Sequence, residues 1–560
     1  MEMLLRIVWS RGRLGPWAPR PVTSVWRLPD RNGVTGRNEC RGVRMSSRRA
    51  VIVGVGQYRR NPKLDGPFEP WEPAEMMAEA LRRAVADTAG GGDLAVADIW
   101  AKADVLACVD PIAWNYHDLC ARVGEIADVN PGAEGMTVPP GGNSPGDLLI
   151  GIANRIVAGE SEVALLTGAE CVYGRRRAIK EHIPLDWTPT TARRDFLKGQ
   201  RPLANALETR HGIVAPVQCY PLFENALRAR AKRSIVEHQR FLGEFMARNA
   251  AVAASNPYAW FPIAYTPDEI ATPSPENRWV YFPYPKRMNA IMEVDLSAAV
   301  VVMSSDEADR RGIPRDRQVA FLGGGSSTDA WSPTERIDFT SSPGIAAAAK
   351  AAFDHAALGV DDVEVFDLYS CFPSAIEIAL GELGVATDDP RGVTATGGLA
   401  YAGGPGNSYA MHGVAAVVER LRSNPAENVG LVSGLGMSVT KHAYCILSND
   451  ASRVAASDGL GHKQKLPDSL LTGPELVDEV SGEGVVETYT VEYGRDTNPS
   501  RTFMVVRFDD GRRTVANGSC SPQEVRSLTE SEGIGQRVRV VGGSAGEGDA
   551  NVPNRAELIR

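Results

Sequence analysis

Apolar positions along the chain switch repeatedly between a strand period and a helix period. Ala50 to Val55 is a continuous β-rich apolar run, and Pro73 opens a stretch in which Met77, Leu81, Ala84 and Val85 share one helical face. Val105 to Val109 repeats the strand pattern. A short strand is predicted around Met136 to Pro139, then a helix with Ser144 as N-cap, Pro145 in its first position and Asp147 three residues after the cap. Gly159 is placed to end that helix, and Glu162 to Thr167 follows as a strand buried on both faces.

Between about Tyr173 and Lys286 the alternation lapses into polar, aromatic and proline-rich sequence with one long helical stretch, Glu224 to Ala250. This segment reads as an inserted lid region. Strands and helices then resume: Ser297 to Met303, Ile345 to Phe353, Val363 to Leu368 and Ile376 to Leu383. A βαβ-type order that occurs twice around an insertion implies one duplicated α/β unit in layers. After about Pro467 come short alternating strands, Val485 to Tyr493, Thr502 to Phe508 and Arg537 to Val541, with Asp510-Gly511 as a hairpin turn. The division predicted is a leader over 1–45, halves over 46–172 and 291–450, the insertion over 173–290, a β-rich domain over 467–548 and a disordered tail over 549–560.

With 43% hydrophobic residues in 560, large cores are within reach. The formal charge of −9 provides no basic field for nucleic acid, and no run of about 18 apolar residues suggests a membrane span. The eight cysteines are scattered without close pairs, so neither a disulfide framework nor a Cys-x-x-Cys metal site is expected, and a reducing cytoplasm fits best. The Arg-rich leader has no period of either kind, and Trp9, Pro16, Pro19 and Pro21 interrupt any targeting helix. It reads as disordered, or as an over-long start ahead of Met45.

Four stretches carry a family resemblance. They are Ser161-Glu-Val-Ala-Leu-Leu-Thr-Gly-Ala-Glu170, Asp295-Leu-Ser-Ala-Ala299, Tyr369-Ser-Cys-Phe372 and Gly397-Gly-Leu-Ala-Tyr-Ala-Gly-Gly-Pro405. In order and spacing they resemble the thiolase superfamily over about Arg49 to Asp450, and with the extra β domain most resemble the thiolase-like proteins of type 1. The resemblance implies the thiolase fold: two βαβ-type halves layered α/β/α/β/α, with an inserted loop domain.

Thiolases need a cysteine thiolate at a helix N-terminus, histidines to activate it and shape an oxyanion hole, and a second cysteine for proton transfer. By the resemblance, the nucleophile position falls at Gly142 beside Asn143, Tyr369 replaces a histidine or asparagine, Gly404 replaces the Gly-His-Pro histidine, and Gly434 marks the lost second cysteine. All four elements have diverged. Cys371 is the obvious substitute thiol, although a buried structural role suits a free cysteine better. Tyr369, Tyr401 and Tyr409 crowd two loops of the expected site, and a tyrosine hydroxyl can act as acid, base or oxyanion donor. His412 lies one turn into a helix, and His442 follows the last diverged loop.

Three functions follow. The first is an acyl-CoA protein of lipid metabolism, nominally an acetyl-CoA acetyltransferase, with thiolase activity absent or very low. The second is a thiolase-fold lyase that cleaves acyl-CoA aldols with tyrosine acid and base. The third is a non-catalytic acyl-CoA-binding or scaffold protein. A CoA thioester is the expected ligand, a protein partner stays open, and no other cofactor or metal is called for. Deleting residues before Met45 is expected to leave the melting temperature within about a degree, because a segment without period packs no core. Differential scanning fluorimetry checks this, and a larger loss shows that the leader docks on the body.

Overall fold

The computed structural model describes residues 48–88, 98–190, 201–544 and 552–559. The leader expected over 1–45 lies outside them. The first half runs β1 (Ala50–Arg59), α1 (Pro73–Asp87), β2 (Val105–Val109), β3 (Glu134–Met136), α2 (Ser144–Ala158) and β4 (Val163–Cys171). The insertion carries α3 (Pro216–Arg230), α4 (Ile235–Ser255) and a small hairpin, β5 (Trp279–Tyr281) and β6 (Tyr284–Pro285). Next come β7 (Asp295–Ser304), β8 (Val319–Thr328), α5 (Pro343–Ala356), β9 (Val365–Asp367), α6 (Pro373–Leu383), α7 (Tyr409–Ser423), β10 (Val429–Gly436), β11 (Lys441–Ser448) and β12 (Gly461–Gln464).

The duplication is visible in the pairings. In the first half β2 lies parallel to β4, β4 antiparallel to β7 and β7 antiparallel to β1. In the second half β9 lies parallel to β10, β10 antiparallel to β11 and β11 antiparallel to β8. Two residue pairs, Val51 with Ala320 and Ile52 with Val319, join the halves edge to edge. β4 and β7 are buried throughout, as strands covered by helices on both faces must be. The helices α2 and α7 pack against each other and against strands of both halves. Gly323 and Gly325 on β8, with no place in a nucleotide fingerprint, let α5 approach: a Cβ at either would overlap the α5 backbone.

Three expectations change. Asn143, already helical at φ −77° and ψ −16°, takes the N-cap place on α2, while the Ser144 hydroxyl donates to the Pro139 carbonyl at 3.1 Å. The single helix expected over Glu224 to Ala250 is two, because Lys232 adopts φ 55° and Ser234 forms a capping box with Glu237 that starts α4. The tail expected to be disordered supplies a strand, β17 below. Among the described residues no helix is long and apolar enough to cross a membrane.

Beyond the α/β body, β13 (Gly482–Tyr493), β14 (Pro499–Phe508), β15 (Arg513–Gly518), α8 (Pro522–Thr529), β16 (Arg537–Val541) and β17 (Arg555–Leu558) make a second sheet. β13 pairs with both β14 and β16, β14 with β15, β15 with β17 and β17 with β16, so five strands close on themselves as a small barrel. Gly511 turns the β14–β15 hairpin at φ 89°. Buried Val525 and Leu528 of α8 join the barrel core.

Polar ties hold the barrel to the body. Asn225 of α3 donates to the Tyr489 carbonyl at 2.9 Å, and Arg228 forms a two-pronged bond with Glu532. Arg513 is fully buried and donates to the carbonyls of Thr334 and Arg336 at 2.7 and 2.6 Å while pairing with Glu487. Removing it strands those acceptors in a dry interface. Arg513→Ala is therefore expected to lower the unfolding free energy by about 3 kcal/mol, the range for breaking a buried ion pair; urea denaturation followed by circular dichroism measures it.

Candidate functional site

Helix α2 points its N-terminus at the strand end where β10 turns into β11, and glycine permits the approach. A Cβ on Gly142 would run into the Leu435 carbonyl and the hydroxyl of Tyr369. A Cβ on Gly434 would stand 2.8 Å from the Asn143 Cα and from the Gly142 carbonyl oxygen. The structure thus brings together Gly142, Asn143, Gly434 and Tyr369. The phenol of Tyr369 fills the volume into which a side chain at 142 would extend.

Tyr369 follows β9, with its backbone N–H on the Ser433 hydroxyl at 2.9 Å. Among the described residues its hydroxyl reaches the Gly406 carbonyl, at 3.5 Å, and its ring meets Tyr409 edge to face at 5.3 Å. Burial, with Cys371 and Tyr409 close by, holds its pKa well above the ordinary tyrosine value, so it stays a protonated donor. Tyr409 is committed elsewhere. Asp367 accepts from the Thr394 and Thr396 hydroxyls, and the Tyr409 hydroxyl sits 2.5 Å from Thr396 Oγ1, so its proton is used inside this chain of bonds. Cys371 is buried, its thiol pushed up to about 12 by desolvation, and no thiolate forms there near neutral pH. Gly404 donates its N–H to the Ile291 carbonyl at 2.8 Å and borders Leu399, whereas its neighbour Gly406 is the residue that touches Tyr369.

His442 is not in this group. Strand alternation turns it to the α5 face of β11, where it is buried beside Gly344, with Nε2 3.2 Å from the Val439 carbonyl and 3.4 Å from the Ser342 hydroxyl. Desolvation lowers its pKa to about 4 against the pull of Asp329, so it stays neutral. His412 is likewise neutral, pushed down to about 3 by burial, with Nδ1 2.9 Å from Gln57 Oε1.

The adjacent residue is the one that arrives. Lys441 faces α2, with its amine on the Pro140 carbonyl and against Gly141. Burial lowers this amine to about 8, while Asp147 opposes the shift; the same burial raises Asp147 to about 6 although Lys441 and Asn143 favour its charge. Asn143 Nδ2 donates to Asp147 at 2.7 Å, and Asn143 Oδ1 is buried without a donor among the described residues. Glu170 on β4 lies against Gly406, accepts from the N–H groups of Ile112 and Ala113, and is raised to about 7, by burial first. Period-2 alternation, once register is known, is the signal that separates Lys441 from His442. Two cavities lie elsewhere: about 450 Å³ beside Tyr58, Arg60 and Tyr258, and about 490 Å³ between Ile235, Trp279 and Tyr493.

A crystal structure described as a monomeric SCP2-thiolase like protein type 1 from Mycobacterium smegmatis superposes with a TM-score of 0.73 at 29% identity, covering 91% of this chain and 99% of the other. Residues 468–543 match the family described as the thiolase-like protein type 1 additional C-terminal domain. The chain resembles the thiolase-like proteins of type 1 and carries their additional C-terminal domain. Its fold is the thiolase fold with a C-terminal barrel-like domain. More distant likenesses show the fold alone. Acetyl-CoA acetyltransferase from Syntrophomonas wolfei matches at 14% identity and a TM-score of 0.52, over 72% of this chain and 99% of the other. The Ltp2-ChsH2(DUF35) aldolase matches at 17% and 0.55, over 72% and 98%. No curated protein matches the chain in sequence.

In this thiolase-like protein a restored thiol has no room. Gly142→Cys is expected to destabilise by about 1–3 kcal/mol, the cost of overpacking. Intact-protein mass spectrometry after incubation with acetoacetyl-CoA is expected to find no acyl group on the introduced cysteine.

Proposed function

We propose that this thiolase-like protein acts on a CoA thioester of lipid metabolism without an acyl-cysteine, as a lyase for acyl-CoA aldols in which Tyr369 supplies the proton. The observation that carries this reading is the Tyr369 hydroxyl, buried, held in its protonated form and, among the described residues, with one long hydrogen bond, against Gly142, the position that the resemblance assigns to a thiolase nucleophile. Retro-aldol cleavage breaks the bond between the α and β carbons. The β-hydroxyl proton goes to a base as the carbonyl forms, and the electron pair is received as an enolate of the thioester, stabilised by a hydroxyl donor and then protonated on carbon. Tyr369 suits the donor role, and Glu170, held near 7, suits the base. Likeness in fold to an aldolase complex agrees with this class of reaction. Acyl transfer suits the site poorly: Gly142 has no nucleophile, and Cys371 is buried with its thiol near 12.

One observation favours the non-catalytic reading instead: neither the cavity beside Tyr58 nor the one beside Ile235 is lined by Tyr369. The experiment separates the three. Acetoacetyl-CoA with free CoA is expected to give background turnover and no acylated cysteine, while β-hydroxyacyl-CoA esters are expected to release an aldehyde or ketone. Tyr369→Phe is expected to slow that release about 10²- to 10⁴-fold, the usual share of acid–base catalysis. A rise in melting temperature with CoA esters but no turnover of any identifies a binding protein. Rapid thiolysis with an acyl group on Cys371 refutes the proposal.

A further inference from the structure

Apart from the Tyr369 site, three helices bring together three side chains of a different chemistry. Glu224 of α3, His238 of α4 and Glu377 of α6 place one potential ligand atom each within 4.8 Å of one another. Their side chains are 0%, 1% and 8% exposed. His238 Nε2 lies 2.8 Å from Glu224 Oε1, and the other Glu224 oxygen accepts from the Tyr284 hydroxyl at 2.5 Å. Tyr284 in turn lies 2.9 Å from the Ser374 hydroxyl. Arg233 approaches from the side, 3.7 Å from Glu377 Oε2 and 3.4 Å from His238 Nδ1. Glu377 Oε1 is buried and, among the described residues, is left without a donor.

Two carboxylates out of water with one guanidinium between them leave a negative charge uncompensated, and a buried charge is retained only with a partner. A proton shared between the acids, or a cation, supplies it. We propose that Glu224, His238 and Glu377 form a binding site for a divalent transition-metal ion, zinc or manganese. Two carboxylate oxygens and one imidazole nitrogen suit borderline ions; calcium seeks six to eight oxygens and magnesium keeps its water. Tyr284 fixes the Glu224 carboxylate from behind, as partners of metal ligands do.

The proton count is simple. In the arrangement seen, Arg233 donates towards Nδ1, so neutral His238 carries its proton on Nε2. Binding the ion moves that proton to Nδ1, and Arg233 turns fully to Glu377. The ion ties two helices of the insertion to α6, which begins two residues after Cys371 in the loop that carries Tyr369. It braces the site and takes no part in the chemistry there.

Full-length protein, stripped with a chelator and dialysed, is titrated with zinc, manganese, magnesium and calcium chlorides. Equilibrium dialysis with elemental analysis and thermal unfolding provide the readouts. The expected result is one equivalent of zinc or manganese per chain with a rise in melting temperature, and no rise with magnesium or calcium. Glu377→Gln and His238→Gln are expected to weaken binding about ten- to hundredfold. Because Glu377→Gln removes a repulsive charge, its metal-free protein is expected to fold, and the metal-dependent increment is what is compared. Equal binding by wild type and Glu377→Gln places the ion elsewhere and overturns the proposal. So does a wild-type stability that responds to pH but to none of the four ions, which identifies a shared proton.

Discussion

The first turn of α2 lies against the end of β10 so closely that neither Gly142 nor Gly434 has room for a Cβ. Close approach of backbones is the constraint on which the site depends. A thiol at the helix N-terminus would draw on the dipole and the free N–H groups there. Here the same turn is sealed by a phenol from the β9 loop, and the dipole faces a hydrogen-bond donor.

Burial governs the charges around that turn. Asp147 is raised although Lys441 stands beside it, and Lys441 is lowered although Asp147 stands beside it. In each case loss of water outweighs the attraction of the pair, the ordering expected when an ion pair is taken into a protein interior. Groups held near neutrality are useful in proton transfer. Glu170, raised in the same way, shares that property and lies one glycine away from Tyr369. His442 and His412 are instead pushed so far down that they behave as neutral hydrogen-bonding rings.

The barrel and the insertion depend on each other. α3 lies on β13, with the Thr488 hydroxyl on the Leu222 carbonyl at 2.5 Å, and the small β5–β6 hairpin extends the barrel sheet through Tyr281 and Glu492. Arg513 and Arg228 carry the charged part of the contact. A rigid insertion positions α6 as well, through the group of Glu224, Tyr284 and Ser374 that lies behind the Tyr369 loop.

The amino-acid order by itself determined the elements whose signal is local. Continuous Val, Ala and Leu runs marked β4 and β7, proline and glycine marked both ends of α2, and Asp510-Gly511 marked a hairpin, because each depends on backbone preference or on burial of a whole face. The twofold order of strands and helices was legible for the same reason. Tertiary structure alone decided which face of β11 meets α2, and so brought Lys441 to the site and turned His442 away; a period of two leaves that choice open until register is fixed. It also decided that Tyr369 would fill the space beside Gly142 and that β17 would close the barrel. Such contacts join residues that are distant along the chain, and their energy comes from excluding water between surfaces that no local pattern describes.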